Sequence, residues 1–350
     1  MRRLPIFFVL DVSESMVGEN LRQMSQGMEA LVKTLRTDPH ALESVYLSTI
    51  VFAGKALVLT PLVELASFYP PRLPVGSGTS IGAALTAVMN QIDLCVVKGN
   101  AEVKGDWKPI VYLFTDGKPT DDAAAAIHRW KRDYASKASL VAVGIGPYAS
   151  LSVLSSMTEE AFHLKNERQE DFLAFVKWLS QSVSSQSQSV AAVEKGAGVS
   201  LAKFDDSVLQ KIKNITQATI LDEDFVILTG KCESKKLPYV MRYRRLPESI
   251  ASTSDFRASA QSYELEGVFP LENDYFELTD ERPSVQAIST DALIGAPGCP
   301  HCGAGIGFAM CACGGLHCLK GSEATCPWCN SKANYGMSEE GGFDVTRSRG

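Results

Sequence analysis

Apolar residues over the first 180 positions arrive in two rhythms. The runs at 6–10, 110–114 and 140–145 are continuously apolar and short, as expected of strands covered on both faces. Between them, apolar residues return at helical spacing: Met24, Met28, Leu31 and Leu35, then Ile81, Leu85, Val88, Met89 and Ile92 behind a capping Ser80. Phe172, Phe175, Val176, Leu179 and Val183 mark a last amphipathic helix, and another is expected around 122–134. Residues 45–52 and 56–63 read as two further strands, with Gly54 in a tight turn between them. Buried strands separated by helices predict an α/β fold: a doubly wound, mostly parallel, Rossmann-like sheet over residues 1–185.

Beyond that the pattern changes. A Ser/Gln-rich stretch at 180–189 reads as a helix end running into a linker, placed at 186–203. Over 204–290, short β-like runs at 225–228, 239–243, 262–265 and 275–278 predict a small β-rich region. A Cys-rich module follows at 291–336, and a Gly/Ser/Arg-rich tail at 337–350 is expected to lack structure.

Length and composition narrow the classes. A chain of 350 residues is expected to form two or three domains, and 45% apolar residues suffice for packed cores. A net charge of −6 argues against a general polyanion binder. The apolar run after Met1-Arg2-Arg3 is short and ends at Asp11 without a cleavage site, so it reads as a strand rather than a leader. No stretch reaches the roughly 18–20 apolar residues of a membrane span, which leaves a cytoplasmic location as the expectation. Seven of the nine cysteines fall between Cys299 and Cys329, a density that points to metal ligation rather than a disulfide framework. Cys95 and Cys232 stand apart and read as small buried hydrophobes.

Hard oxygen donors gather at three strand ends or helix starts. The first strand runs into Asp11-Val12-Ser13-Glu14-Ser15, Gly78-Thr79 precedes the helix capped by Ser80, and the strand at 110–114 runs into Thr115-Asp116-Gly117. Asp11-x-Ser13-x-Ser15, the distant Thr79 and Asp116, in that order, resemble the metal-ion-dependent adhesion site of von Willebrand factor A domains over residues 1–185. The resemblance implies Mg²⁺ or Mn²⁺ held by the hydroxyls of Ser13, Ser15 and Thr79 and by Asp11 and Asp116, directly or through water. Such ions take oxygen ligands in octahedral geometry. With few direct charges on the cation, a partner's Asp or Glu carboxylate can take the open position. Thr120, Asp121 and Asp122 read as an ordinary helix start. A phosphatase using the same strand ends needs a second carboxylate two residues after Asp11, where Ser13 stands. His40, His128 and His163 lie outside the candidate loops, so no catalytic residue is assigned.

Cys299-Pro-His-Cys302, Cys311-Ala-Cys313, His317-Cys318 and Cys326-Pro-Trp-Cys329 carry the second chemistry. Two Cys-x-x-Cys knuckles predict zinc, one ion or two. Cys299, Cys302, Cys326 and Cys329 form one expected set, and Cys311, Cys313 and Cys318 with His301 or His317 form the other; a crossed pairing, as in RING-like modules, remains open. About 31 residues are too few for a core, so metal is expected to fold the module. Bases and acids balance from Cys299 to Gly350, which disfavours a nucleic-acid role.

An A-type domain followed by a seven-Cys, His-containing module resembles the TerY-type proteins of bacterial tellurite-resistance and stress systems. That resemblance implies a serine/threonine kinase-like protein and a metal-dependent protein phosphatase as partners; the cation site, with no nucleophile–base pair beside it, makes a non-enzymatic adaptor the expected function. A metal-dependent phosphohydrolase, a RING-like ligase and a zinc-ribbon nucleic-acid binder are the alternatives. The bases Lys235, Lys236, Arg242, Arg244 and Arg245 read as a solvated strand face.

Overall fold

The computed structural model describes residues 2–100, 102, 104–116, 119–146, 149–164, 169–192, 201–202, 209–212, 225–246, 262–279, 286–335 and 342–348. The chain divides into two compact units, Met1–Leu73 with Gly78–Thr219, and Pro74–Ser77 with Ile220–Gly350.

In the first unit, β1 (Leu4–Asp11) is buried at every position. It is followed by α1 (Glu19–Leu35), α2 (Pro39–Ser44), β2 (Val45–Phe52), β3 (Ala56–Glu64) and α3 (Ile81–Cys95). Then come β4 (Ile110–Thr115), α4 (Ala124–Arg129), β5 (Ser139–Ile145), α5 (Leu151–Met157), β6 (Ala161–Leu164), α6 (Gln169–Ala192) and β7 (Leu209–Lys211). The strands order as β3-β2-β1-β4-β5-β6-β7, parallel inside and antiparallel at both edges. The doubly wound sheet is therefore present, with short elements (α5, β6, β7) that the apolar rhythm did not announce.

Alternation along the buried strands decides which layer each side chain joins. Phe7, Val9, Val111 and Leu113 share a core with Leu85, Met89, Trp130 and Leu154, from α3 to α5. On the opposite face, Phe8 stacks on Tyr112 at 5.8 Å, and Phe114 meets the edge of Phe175 at 5.8 Å. There Leu10, Met24 and Met28 close with Phe172 and Val176 around a small apolar cavity. Each fully buried large side chain contributes about 1.5–3 kcal/mol.

Gly27 sets the approach of α1 to α6, since a Cβ there would lie 2.6 Å from Phe172 Cε1. The Ser/Gln-rich segment continues α6 to Ala192 and so overruns the expected linker start at 186. Ser180 and Ser182 hydroxyls donate back to Val176 and Trp178 carbonyls, which satisfies them inside the helix. The rest of the expected linker lies mostly outside the described residues.

The second unit contains β8 (Phe225–Lys231), β9 (Pro238–Arg245), β10 (Tyr263–Pro270), α7 (Tyr275–Leu278), β11 (Ala287–Ser289) and β12 (Leu293–Ile294). It continues with β13 (Ile306–Met310), β14 (Leu316–Leu319), β15 (Glu323–Thr325), β16 (Lys332–Asn334) and β17 (Asp344–Thr346). One sheet orders as β12-β10-β9-β8-β14-β13, with small two-stranded sheets β11-β17 and β15-β16. Because β14 pairs with β8, the β-rich stretch and the Cys-rich stretch share a sheet, and the expected break at 290/291 has no counterpart in the strand order.

Two more expectations change. Residues 275–278 form a helical turn, with Tyr275 and Leu278 buried three apart and Phe276 exposed. In the tail, Asp344–Thr346 pairs with Ala287–Ser289 and Val345 is buried, so these described residues are structured. Arg242, in the basic stretch, pairs with Glu266 at 3.0 Å. Among the described residues, no helix is long and apolar enough to cross a membrane.

Gly27→Val should destabilise the first unit by about 1–3 kcal/mol, because overpacking against Phe172 outweighs the slight gain in helix propensity over Gly. Urea unfolding of the full chain, followed by tryptophan fluorescence to which buried Trp130 and Trp178 contribute, checks this.

Candidate metal centres

The chain crosses from β1 to β2 on one side of β1 and returns through α3 to β4 on the other, so the sheet reverses winding between β1 and β4. At such a switch point the carboxyl ends of the strands leave a crevice. Asp11 ends β1, and Asp116 follows β4, whose register sets Leu10 beside Phe114. Asp11 is fully buried: Ser13 N–H donates to Oδ1 at 2.9 Å and the Thr115 hydroxyl donates to Oδ2 at 2.5 Å. Ser13 Oγ and Ser15 Oγ lie 3.0 Å apart.

Thr79, also buried, is held by its backbone. Gly78 takes φ +91°, a left-handed conformation that favours glycine, and delivers the chain to it. Thr79 N–H donates to Thr120 Oγ1 at 2.8 Å, Thr120 N–H donates to the Thr79 carbonyl at 2.8 Å, and Ser80 N–H donates to Ala53 O at the end of β2. Asp11 thus closes β1, Ser13, Ser15 and Asp116 lie just past strand ends, and Thr79 sits in a loop clamped to Thr120 and Ala53.

Thr120 and Asp121 do more than start a helix. Asp121 Oδ2 accepts from Ser80 Oγ at 2.6 Å and Gly82 N–H at 2.9 Å, fixing the start of α3 behind Thr79. Asp122 Oδ1 accepts from Ala124 N–H at 3.1 Å at the start of α4. No sequence signal beyond closeness to Asp116 pointed to those roles.

The electrostatics fit a cation. Burial first, and then the charge of Asp116, push Asp11 up to about 7 against its hydrogen bonds. A divalent cation among the same oxygens would remove the repulsion and favour the ionised form, and the donors are all hard.

The cysteines assemble into two sets of four: Cys232, Cys299, Cys302 and Cys318, and Cys311, Cys313, Cys326 and Cys329. Tetrahedral zinc with bonds of about 2.3 Å places its sulfurs about 3.8 Å apart. The Cys302–Cys318, Cys311–Cys329 and Cys313–Cys326 sulfurs lie 3.7, 3.7 and 3.8 Å apart, and Cys318–Cys232 lie 4.0 Å apart. That spacing fits zinc; a disulfide would bring sulfurs to about 2.05 Å. Each expected Cys-x-x-Cys knuckle contributes to a different set, so the pairing is crossed.

His317 is not among the sulfurs. It is fully buried, Nδ1 lies 2.9 Å from Cys318 O and Nε2 lies 2.7 Å from Tyr335 Oη, so it packs and hydrogen-bonds behind the site. His301 Nε2 lies 2.7 Å from Pro238 O. Cys232 takes the place expected for a histidine.

A shared backbone turn explains its placement. At Cys299 and Cys326 the N–H donates to the carbonyl five residues on (Ala304, Ser331). Each carbonyl accepts from the N–H four residues on (Gly303, Asn330), at positive φ. Cys232 repeats this with Leu237 and Lys236, the latter at φ 58°. The β8–β9 hairpin is thus a knuckle with one cysteine: Lys235 stands where a Cys-x-x-Cys would end, and Cys318 supplies the missing sulfur. With Lys235 in that place, no Cys-x-x-Cys spacing marks Cys232 in the sequence. Backbone N–H groups still reach the sulfurs, Lys235 to Cys232 at 3.4 Å and Glu233 to Cys318 at 3.3 Å. The Ser331 hydroxyl and N–H pull Cys329 down to about 6, while burial pushes Cys318 up.

A family model described as the von Willebrand factor type A domain matches residues 6–181, and one described as the TerY-C metal binding domain matches residues 222–350. Proximal thread matrix protein 1 from the mussel byssus is 20% identical at a TM-score of 0.40, over 52% of this chain and 48% of that one. The ArnB paralog VWA2 from Sulfolobus acidocaldarius is 15% identical at 0.38, over 53% and 45%. BatB from Bacteroides thetaiotaomicron is 16% identical at 0.35, over 51% and 98%. The chain spans about half the length of the first two.

Two expectations follow. Purified protein should carry two zinc ions per chain by elemental analysis, and His317→Ala should keep both. Because a proton and a cation compete for Asp11, Mg²⁺ uptake measured by calorimetry should weaken as pH falls below about 7, by up to about tenfold per pH unit.

Proposed function

The chain belongs to the von Willebrand factor type A domain family, and from that premise we propose that it is a non-enzymatic adaptor gripping a partner's carboxylate through a divalent cation. The observation that carries this reading is the buried pair Asp11 and Asp116 at the switch point of the sheet, close enough for the charge of Asp116 to act on Asp11. When bound there, Mg²⁺ or Mn²⁺ supplies a Lewis-acidic position open to an outside oxygen. The chain's own residues do the rest. Asp11 and Asp116 provide the charge, Ser13, Ser15 and Thr79 provide neutral donors, Thr115 fixes the Asp11 carboxylate, and Thr120 fixes the Thr79 backbone. Neutral hydroxyls in place of more carboxylates leave the ion short of negative charge. An Asp or Glu of the partner is the natural complement.

The TerY-C match supports a metal-bearing second unit as the adaptor's other arm. In this reading the partners are a serine/threonine kinase-like protein and a metal-dependent phosphatase of a bacterial tellurite-resistance or stress system. The location is cytoplasmic, where nine reduced cysteines are at home. The non-catalytic assignment rests on Ser13, which stands where a phosphatase of this strand-end type needs its second carboxylate.

Partner capture from native lysate should require Mg²⁺ or Mn²⁺, and Asp11→Ala or Asp116→Ala should weaken it by about 2 kcal/mol or more, roughly thirtyfold. The circular dichroism of both variants should match that of the parent. Undiminished capture by both variants would remove the basis of the reading.

A further inference from the structure

The two sulfur sets are chemically alike and differently housed. Cys232, Cys299 and Cys318 are at most 4% exposed and sit within one apolar core with Val226, Leu228 and Tyr239. Cys302 packs against that core. The set ties the β8–β9 hairpin to residues 67 to 86 positions further along the chain. Pulling any of these sulfurs away opens the main sheet's core.

Cys311, Cys313, Cys326 and Cys329 instead come from a single stretch of chain. Cys313 and Cys329 are solvent-exposed. The apolar cluster beside this set is small: Ala309, Leu319 and Ala324, with Tyr335 against it. Solvent, a chelator or a competing thiol reaches this set's exposed sulfurs without disturbing β8–β10.

One side chain links this set to the surface. Trp328 stands between Cys326 and Cys329, and its N–H lies 3.5 Å from Cys326 Sγ. Its Nε1–H donates to Leu316 O at 2.7 Å, and its ring meets the Phe276 edge at 6.1 Å with Lys231 Nζ 5.1 Å away. Gly315 is required beneath it, since a Cβ there would lie 2.4 Å from the indole.

Resting on the zinc reading above, we infer that the two sets divide the work: the Cys232 set is a permanent staple of the sheet, and the Cys311 set is an exchangeable site for a soft divalent cation. Zinc leaves and re-enters the second site while the sheet stays folded, and Trp328 moves with it. The surface formed by Trp328, Phe276 and Lys231 therefore has two states, governed by thiophilic metal supply.

The test uses the full chain loaded with zinc, an excess of chelator with a colorimetric zinc indicator, and N-ethylmaleimide labelling read by peptide mass spectrometry. Release should occur in two phases, the first ion leaving about tenfold or more faster than the second. Trp emission should change in the first phase, and far-ultraviolet circular dichroism only in the second. Labelling is the sharper readout. Cys311 and Cys326, 3% and 0% exposed, should be alkylated together with exposed Cys313 and Cys329. All four should precede Cys232 and Cys318, which are equally buried at 0%. Cys313→Ser should retain one zinc and a folded sheet.

Loss of both ions in one phase, labelling of the Cys232 set first, or unfolding of Cys313→Ser would overturn the inference while leaving zinc binding intact. A chain that purifies without zinc would overturn the metal reading itself.

Discussion

Two carboxylates buried within reach of each other are the constraint that organises the first unit. Left alone, Asp11 and Asp116 repel in a site where water screens little, and Asp11 keeps its proton to about neutrality. The surrounding structure holds them there anyway. β1 and β4 are locked in parallel register, Thr115 and Ser13 tie the Asp11 carboxylate, Thr120 clamps the Thr79 backbone, and Ser80 N–H donates to Ala53 O just past β2. A site costly to form without a cation and pre-shaped for one is poised for ligand-dependent behaviour. Asp11 and Asp116 stand at the ends of β1 and β4, which are buried at every position.

The second unit solves a different problem. Its strands are short and its apolar cluster modest, and sulfur tetrahedra of the size zinc requires stand where a larger domain would place more core. The hairpin turn at Cys232 shows how the two devices merge. The same backbone geometry that reverses the chain between β8 and β9 aims a thiol at the site, and β14 then adds both a strand to the sheet and Cys318 to the cluster.

The sequence disclosed most about segments whose pattern is strictly local. Continuous apolar runs marked β1, β4 and β5 because both faces of those strands are covered, and Asp11-x-Ser13-x-Ser15 marked its loop because three donors fall within five residues. Four-residue β6 and three-residue β7 are too short to show a period. Residues 275–278 looked like a strand because two aromatics and a Leu satisfy either period over so short a run. Cys232 stayed hidden because its partners in the cluster are 67 or more positions away. His317 misled for the opposite reason: next to a ligand in sequence, it turns its ring toward Tyr335.

The distance between Cys232 and Cys318 also governs the order in which this unit can come into being. A ribosome makes the hairpin bearing Cys232 long before the strand bearing Cys318, so a nascent chain holds an open coordination set through most of the unit's synthesis. The Cys311 set closes within a single short stretch soon afterwards. Completion of the sheet is therefore tied to the strand that carries the last of the four sulfurs.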